Sequence, residues 1–448
     1  MSGVGRLLLI DYHFGSPGAT GGFRWRSMAA YLSGEGWRFD VITRLGDGAG
    51  EPGGQLGREG VRLFGVAAPT TADSAIAALS RLRRRLGGRS NTAARSAAAP
   101  DGGPVVWAPP RVGPYARLAR VVEGVRITAA EWGWARRAAR FGRELARRER
   151  YRGVVVSSPP HLAQLAGAAV GRAAGIPYVA DFRDPWVFGR PEKYDVNPLA
   201  NRLGRWYEGP TLCRAVLVLC NTEHARRAVA TIYPELAARA VAIPNGYDTD
   251  GTTPLAVDAR CFRVVYTGWL YPFMEPECVL AAVGRLRHRA GLGPDELVVE
   301  FQGCAGAHRG VPLAVLAARH GLEDRFRLLP RGSREEAQRL QAAAAVRVAF
   351  DASTQLAMPM KFFDYAQAGG TMLLVGFPDG ALAAAAAALG LQVYAPEDAA
   401  GLDAVLDEAL RRWRRGDLVA PLDRDGLFDR RRHSRRVHEL LLSLPTSA

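Results

Sequence analysis

Lysine is almost absent from this chain: only Lys193 and Lys361 appear among 59 basic residues. Lys361 stands in "MPMKFFDYAQAGG" (358–370), three positions before Asp364. At that spacing in a helix both side chains leave the same face within the first turn. Pro359 is pre-set for a first helical turn, and no Ser, Thr, Asp or Asn stands at the N-cap, so the leading amides lack a side-chain acceptor. A diphosphate would satisfy those amides. An ammonium suits phosphate charge, and a carboxylate suits the cis-diol of a ribose by accepting two hydroxyl protons. A plain Lys361–Asp364 ion pair is the other reading.

Three further loops carry reactive or ligand-binding residue types. In "DYHFGSPGATGGFRWR" (11–26), Gly21 and Gly22 allow close backbone approach, the following helix start offers free amides to an anion, and Arg24 adds a charge. The spelling is neither G-x-G-x-x-G nor a Walker loop, so a ligand-free turn is the alternative. In "SSPPHLAQL" (157–165), Pro159 and Pro160 end a strand and His161 opens a helix, where a neutral imidazole able to bind a hydroxyl is expected; a satisfied structural histidine is the alternative. In "ADFRDPW" (180–186), Asp181, Arg183, Asp184 and Trp186 follow an apolar strand, either for ligand contact or as a local ion pair. "DTD" (248–250) follows a turn rather than a strand, which argues against a metal site, and "GVG" (3–5) precedes the first strand, the wrong order for a dinucleotide fingerprint.

The elements that must position these loops follow from hydrophobic patterning. Short apolar runs alternate with amphipathic stretches, as in parallel sheets covered by helices. Expected strands are 6–12, 38–43, 153–158, 176–181 and 215–220, with helices at 23–34, 161–174 and 222–232. The second half repeats the alternation with strands at 262–267, 297–302, 325–330, 346–351 and 371–376. The fold class is α/β, with two Rossmann-like domains facing each other across a ligand cleft. The boundaries are 1–245 for the first domain, 246–260 for a linker, 261–426 for the second domain, and 427–448 for a C-terminal helix. A low-complexity Ala/Arg/Gly/Ser excursion from the first domain falls at about 70–104.

Composition narrows the class. With 48% hydrophobic and 23% charged residues the chain is read as a soluble globular protein. The five cysteines show neither Cys-x-x-Cys nor histidines at zinc-ligand spacing, so no metal site is expected. No apolar run approaches the roughly 18 residues of a membrane span, and "LLLI" near the N-terminus is too short for a signal core. The expected location is cytoplasmic. A net charge of +15 allows a nucleic acid, an anionic lipid surface or a phosphate-bearing ligand as partner. The arginine runs at 81–89 and 136–152 favour peripheral contact with the inner face of the membrane over nucleic acid, since the first lacks interleaved aromatics.

Taken in order, "GG-x-R", "SSPPH", "DFRDPW", "IPNGYD", "YTGWLY" and "K-x-F-x-Y-x-x-x-G" resemble the retaining glycosyltransferases of family four, in bacterial polysaccharide or natural-product assembly. These proteins adopt the GT-B architecture. The resemblance implies a metal-independent, hexosyltransferase-like enzyme without a cofactor, using a UDP- or GDP-sugar donor and a glycan, lipid-linked or small-molecule acceptor. It implies that Gly21 and Gly22 approach the diphosphate, that Asp184 and His161 lie near the transferred sugar, and that Lys361 holds phosphate oxygens. Asp364 would take the ribose hydroxyls, Arg331 and Gly332 would border the base, and Gly268, Met360 and Phe362 would complete the nucleotide-sugar site. The last helix would cross back onto the first domain. Two departures stand out: Trp269 and Leu270 follow Gly268 where relatives have an arginine, and Leu356 and Asp364 replace a pair of glutamates eight apart. Two other functions fit the same residues: a non-catalytic nucleotide-sugar-binding protein of this fold, and a basic nucleic-acid or membrane scaffold.

Overall fold

Among the described residues, fifteen short strands carry the architecture. A computed structural model describes residues 4–16, 20–44, 60–67, 114–187, 198–248, 256–417 and 422–445. The excursion expected at about 70–104 lies outside them, as do 249–255 of the expected linker. The chain divides into two compact units, 1–243 with 433–448, and 244–432.

In the first unit, β1 (Gly5–Asp11), β2 (Trp37–Arg44), β3 (Val61–Val66), β4 (Gly153–Ser158), β5 (Tyr178–Phe182), β6 (Leu217–Cys220) and β7 (Ala240–Ala242) form one parallel sheet in the order β3-β2-β1-β4-β5-β6-β7. Leu7 to Ile10 are wholly buried on both faces, as a doubly covered parallel strand requires. One face packs Leu7, Leu9, Val41 and Val155 against Trp25, Met28 and Leu32 of the helix Phe23–Gly34, and against Val437 and Leu441 of the helix Arg430–Leu442. The other face lies under the 35-residue helix Pro114–Arg148. There Gly142 is essential to the approach: a Cβ on it would stand 2.9 Å from Val170 and 3.3 Å from Leu8.

In the second unit, β8 (Phe262–Thr267), β9 (Leu297–Gln302), β12 (Phe326–Leu329), β13 (Val346–Phe350), β14 (Thr371–Val375) and β15 (Val393–Tyr394) form a parallel sheet in the order β12-β9-β8-β13-β14-β15. A two-stranded antiparallel ribbon, β10 (Ala307–His308) and β11 (Val311–Pro312), is inserted after β9. Arg430, at the start of the last helix, donates to the carbonyls of Asn245 (2.8 Å) and Gly246 (2.6 Å) and pairs with Asp248.

The expected strands match those observed to within two residues at each end. β3, β7, β15 and the ribbon were not anticipated. They are two to six residues long, and β3 shows only two buried positions, so hydrophobic periodicity gave them no signal.

A single buried carboxylate ties the first unit together. Asp181, at the end of β5, accepts from Arg24 Nε (3.1 Å), Trp25 Nε1 (2.8 Å) and Ser157 Oγ (3.1 Å), and forms an ion pair with Arg24 Nη2 at 3.0 Å. Arg24 also donates to the carbonyl of Ile243 at 2.8 Å. Asp181→Ala strands a buried guanidinium, and the expected loss is about 3–5 kcal/mol of unfolding free energy, read from urea denaturation.

Candidate active site

In each unit the strand order reverses beside the first strand, between β1 and β4 and between β8 and β13. The crevice at the carboxyl ends of such strands is where open α/β sheets bind ligands. Both crevices hold the residues singled out above.

At the second crevice β8 ends in Thr267 and the chain turns through Gly268, whose φ of +106° is strained for any residue with a side chain. A Cβ there would stand 3.0 Å from Lys361 Cε and 3.3 Å from Nζ, so the glycine leaves the lysine its place. The Nζ lies 3.9 Å from the centroid of the Tyr266 ring. Burial lowers the Lys361 pKa to about 7, and the nearby Cys304 thiol pulls the other way. The Cys304 thiol, pushed up to about 12 by burial, donates to the Gly268 carbonyl at 3.3 Å. Lys361 is the second residue of the helix Met360–Ala368, whose N-cap Pro359 supplies no side-chain acceptor.

Asp364 does not pair with Lys361 among the described residues. It faces Arg334 Nη2 at 3.4 Å, and burial raises its pKa, with Arg334 and Arg430 opposing. Gly332 packs against Gln302 and Glu336: a Cβ would lie 2.8 Å from the Gln302 amide nitrogen and 2.4 Å from a Glu336 carboxylate oxygen. Arg331 beside it is exposed.

At the first crevice the glycine pair is packed from several sides. A Cβ on Gly21 would meet Arg183 Nη1 at 2.6 Å and His13 Cδ2 at 2.8 Å, and one on Gly22 would meet the His13 carbonyl oxygen at 2.5 Å. Arg183 donates to the carbonyls of Gly21, Ser158 and Pro159, the last at 2.7 Å. Arg26 donates to Phe14 O (2.8 Å) and Ser16 O (3.0 Å). Two arginines therefore clamp the loop through its backbone. His161 is buried and stacked between Phe182 (6.1 Å) and Trp186 (5.7 Å), while Asp184 is exposed.

Residues 93–250 match Glycosyltransferase Family 4. Over that segment the chain is similar to family-four glycosyltransferases, and its two parallel α/β sheets match the GT-B fold. Sucrose-phosphate synthase from Thermosynechococcus elongatus shares the fold at a TM-score of 0.61 and 15% identity, over 97% of this chain and 98% of that one. The trehalose-6-phosphate structure from E. coli bound with UDP-2-fluoro glucose gives 0.61 and 13%, over 98% and 100%. A glycosyltransferase from Rickettsia africae gives 0.55 and 10%, over 97% of each chain. No curated protein matches by sequence. The segment match carries the class, glycosyltransferase, and the structural likenesses carry the fold.

Set against this GT-B frame, the expected residues divide. Gly21, Gly22 and His161 come together with Arg183 and Asp184 at one crevice, and Gly268, Lys361, Asp364, Arg331 and Gly332 gather at the other. Two expectations need correction. Phe362 is wholly buried against Phe363 and Phe428, and its amide donates to the Pro359 carbonyl at 3.1 Å, so neither reaches a ligand. Arg24 is held inside the sheet by Asp181 and is closed to a phosphate. Met360 packs partly against the same aromatic cluster as Phe362. The helix expected to open at His161 begins at Ala163.

Asp11 and His13 were passed over in the sequence, although they stand two apart where β1 ends. Asp11 is fully buried. Its Oδ1 accepts the His13 amide at 2.9 Å, and its Oδ2 has no hydrogen-bond partner among the described residues. Burial raises its pKa to about 6, against the pull of Arg183. Burial, then Arg183 and Arg44, lower that of His13 to about 4. The crevice therefore holds a neutral imidazole near neutral pH.

These two shifts oppose each other in stability. Between 3.8 and about 6 the folded state holds more protons at Asp11 than the unfolded state, so this term weakens the fold as pH rises. Between about 4 and 6.5 the unfolded state holds more protons at His13, so that term strengthens it. Asp11→Asn is expected to make stability climb more steeply with pH across this window than in the parent, and His13→Gln to make it fall. Urea midpoints measured across the window check both slopes.

Proposed function

We propose that the protein is a retaining, metal-independent glycosyltransferase that moves a sugar from a nucleoside-diphosphate donor to a hydroxyl of its acceptor. One observation carries the reading: Lys361, half-buried beside Gly268 at the strand reversal, is joined to no carboxylate by an ion pair among the described residues. A cation held there without a counter-charge suits an anion brought by a ligand. The E. coli protein of like fold, which binds UDP-2-fluoro glucose, supports a uridine donor among the alternatives.

In this reading the Lys361 ammonium and the uncapped amides of the helix Met360–Ala368 receive the diphosphate. Charge grows on its leaving oxygen as the glycosidic bond breaks, and both groups stabilise that charge. Asp364 accepts from the ribose hydroxyls, with Arg334 holding its carboxylate, and Arg331 and Gly332 border the base. The acceptor hydroxyl attacks on the face the diphosphate leaves, and its proton passes to the departing phosphate, so no carboxylate nucleophile is required. Asp184 and His161 are assigned to the sugar and acceptor side, His161 with its ring fixed by Phe182 and Trp186.

Thermal-shift screening against nucleoside diphosphates and their sugars is the direct test, since a ligand of the folded state raises the melting temperature. At least one donor class is expected to stabilise the protein. Lys361→Ala should cost about tenfold in affinity or turnover, or about 1.4 kcal/mol. Stabilisation by none of them, or an equal shift in Lys361→Ala, ends this reading.

The same lysine sets a pH dependence. Its ammonium predominates below a pKa of about 7 and is lost above it, so donor affinity is expected to weaken as pH rises through 7. Lys361→Arg keeps its charge throughout. Calorimetric titration with a nucleotide sugar should show the slope in the parent and a flatter profile in that variant.

A further inference from the structure

An exposed stripe runs along the described side chains of the long helix Pro114–Arg148. Val125, Ala129, Arg136, Arg140, Arg143 and Arg147 are all exposed, and half-buried Trp132 lies in line with them at spacings of three and four residues, so they share a face. From Trp132 to Arg147 the stripe is about 22 Å long at 1.5 Å per residue. Its two halves differ in kind, apolar before Arg136 and cationic after it.

The apolar half meets an aromatic group from a second helix. The Trp132 ring lies 5.3 Å from that of Tyr207 on the helix Pro198–Leu212. The preceding residue, Trp206, is 76% exposed, the most open large hydrophobic side chain among the described residues. Arg202 and Arg205 on that helix are exposed as well. Among the described residues, negative charge near the stripe is sparse. Glu144 pairs with Arg140 at 3.3 Å, and Glu149 is held by Arg62 at 2.8 Å. Glu131 is half-buried, and Glu208 is buried, accepting from Tyr233 at 2.8 Å.

We propose that this face of the first unit docks on an anionic lipid bilayer. Trp206 would enter the headgroup layer at one end, and the arginine row would lie along the surface phosphates. An exposed tryptophan has an apolar body and a polar N–H, which suits the boundary between acyl chains and water. Arginines in a row gain from the negative surface potential of the leaflet, and the gain falls off within a Debye length. Neither feature serves the nucleotide-binding reading, so the two stand or fall separately. The aliphatic and indole end distinguishes a lipid surface from a nucleic acid, whose backbone would use the arginines alone.

Co-sedimentation of the full-length protein with vesicles tests this without any donor or acceptor. Binding is expected to vesicles of phosphatidylcholine and phosphatidylglycerol in equal parts, to fall with added salt, and to be absent on phosphatidylcholine alone. Trp206→Ser should weaken it about fivefold or more, and the double reversal Arg140→Glu with Arg143→Glu about tenfold or more. All three side chains are exposed, so circular dichroism and melting temperature should stay at parent values and keep the comparison interpretable. No binding to the anionic vesicles, equal binding to both vesicle types, or parent-like binding by Trp206→Ser would overturn the proposal. So would duplex DNA binding as tight as vesicle binding that ignores Trp206→Ser but falls with the double reversal.

Discussion

The Asp181 carboxylate sits where water cannot reach it, and the first crevice is organised around it. A charge so placed is tolerated only when hydrogen bonds and an opposite charge surround it. Arg24, Trp25 and Ser157 supply these from the first helix and from β4. This pins the helix after the glycine loop to the sheet and fixes the point from which Gly21 and Gly22 approach Arg183. Arg183 then gives its hydrogen bonds, among the described residues, to carbonyls, and Asp184 is left outward. One buried ion pair thus separates the structural Arg24 and Asp181 from the exposed Asp184, three residues after the aspartate.

The second crevice works by the opposite logic. Its cation has no carboxylate partner among the described residues, and burial lowers the lysine pKa to about 7. Gly268 makes the arrangement possible by having no Cβ and by turning the chain at a positive φ. Tyr266 offers the face of its ring, a weak partner that holds the ammonium in place but leaves it free to meet a stronger anion. Asp364, three residues on, is drawn off by Arg334. Both residues of the helix start are thus turned toward other groups than each other.

Much of this was legible in the sequence. The ten anticipated strands appear because continuous Val, Ile and Leu runs are what a doubly covered parallel strand demands. Lys361 was conspicuous through rarity, and "GG" through the turn it permits. Phe362 and Arg24 were misread because a motif gives spacing along the chain but not burial. Phe362 follows Lys361 by one residue, which on a helix rotates it about 100° toward the core. Arg24 looked like a phosphate ligand until a carboxylate 157 residues away in sequence was found beside it. His13 and Asp11 went unnoticed because what marks them, burial and the approach of Arg183 from far along the chain, leaves no trace in the local sequence.

By itself, then, the sequence determined the two parallel sheets, their loops and the rare lysine, since these rest on short-range patterning and on residue type. Tertiary structure alone decided which charges are buried and which remain available. That depends on contacts between residues far apart in the chain, where desolvation and a single neighbouring carboxylate outweigh any local preference.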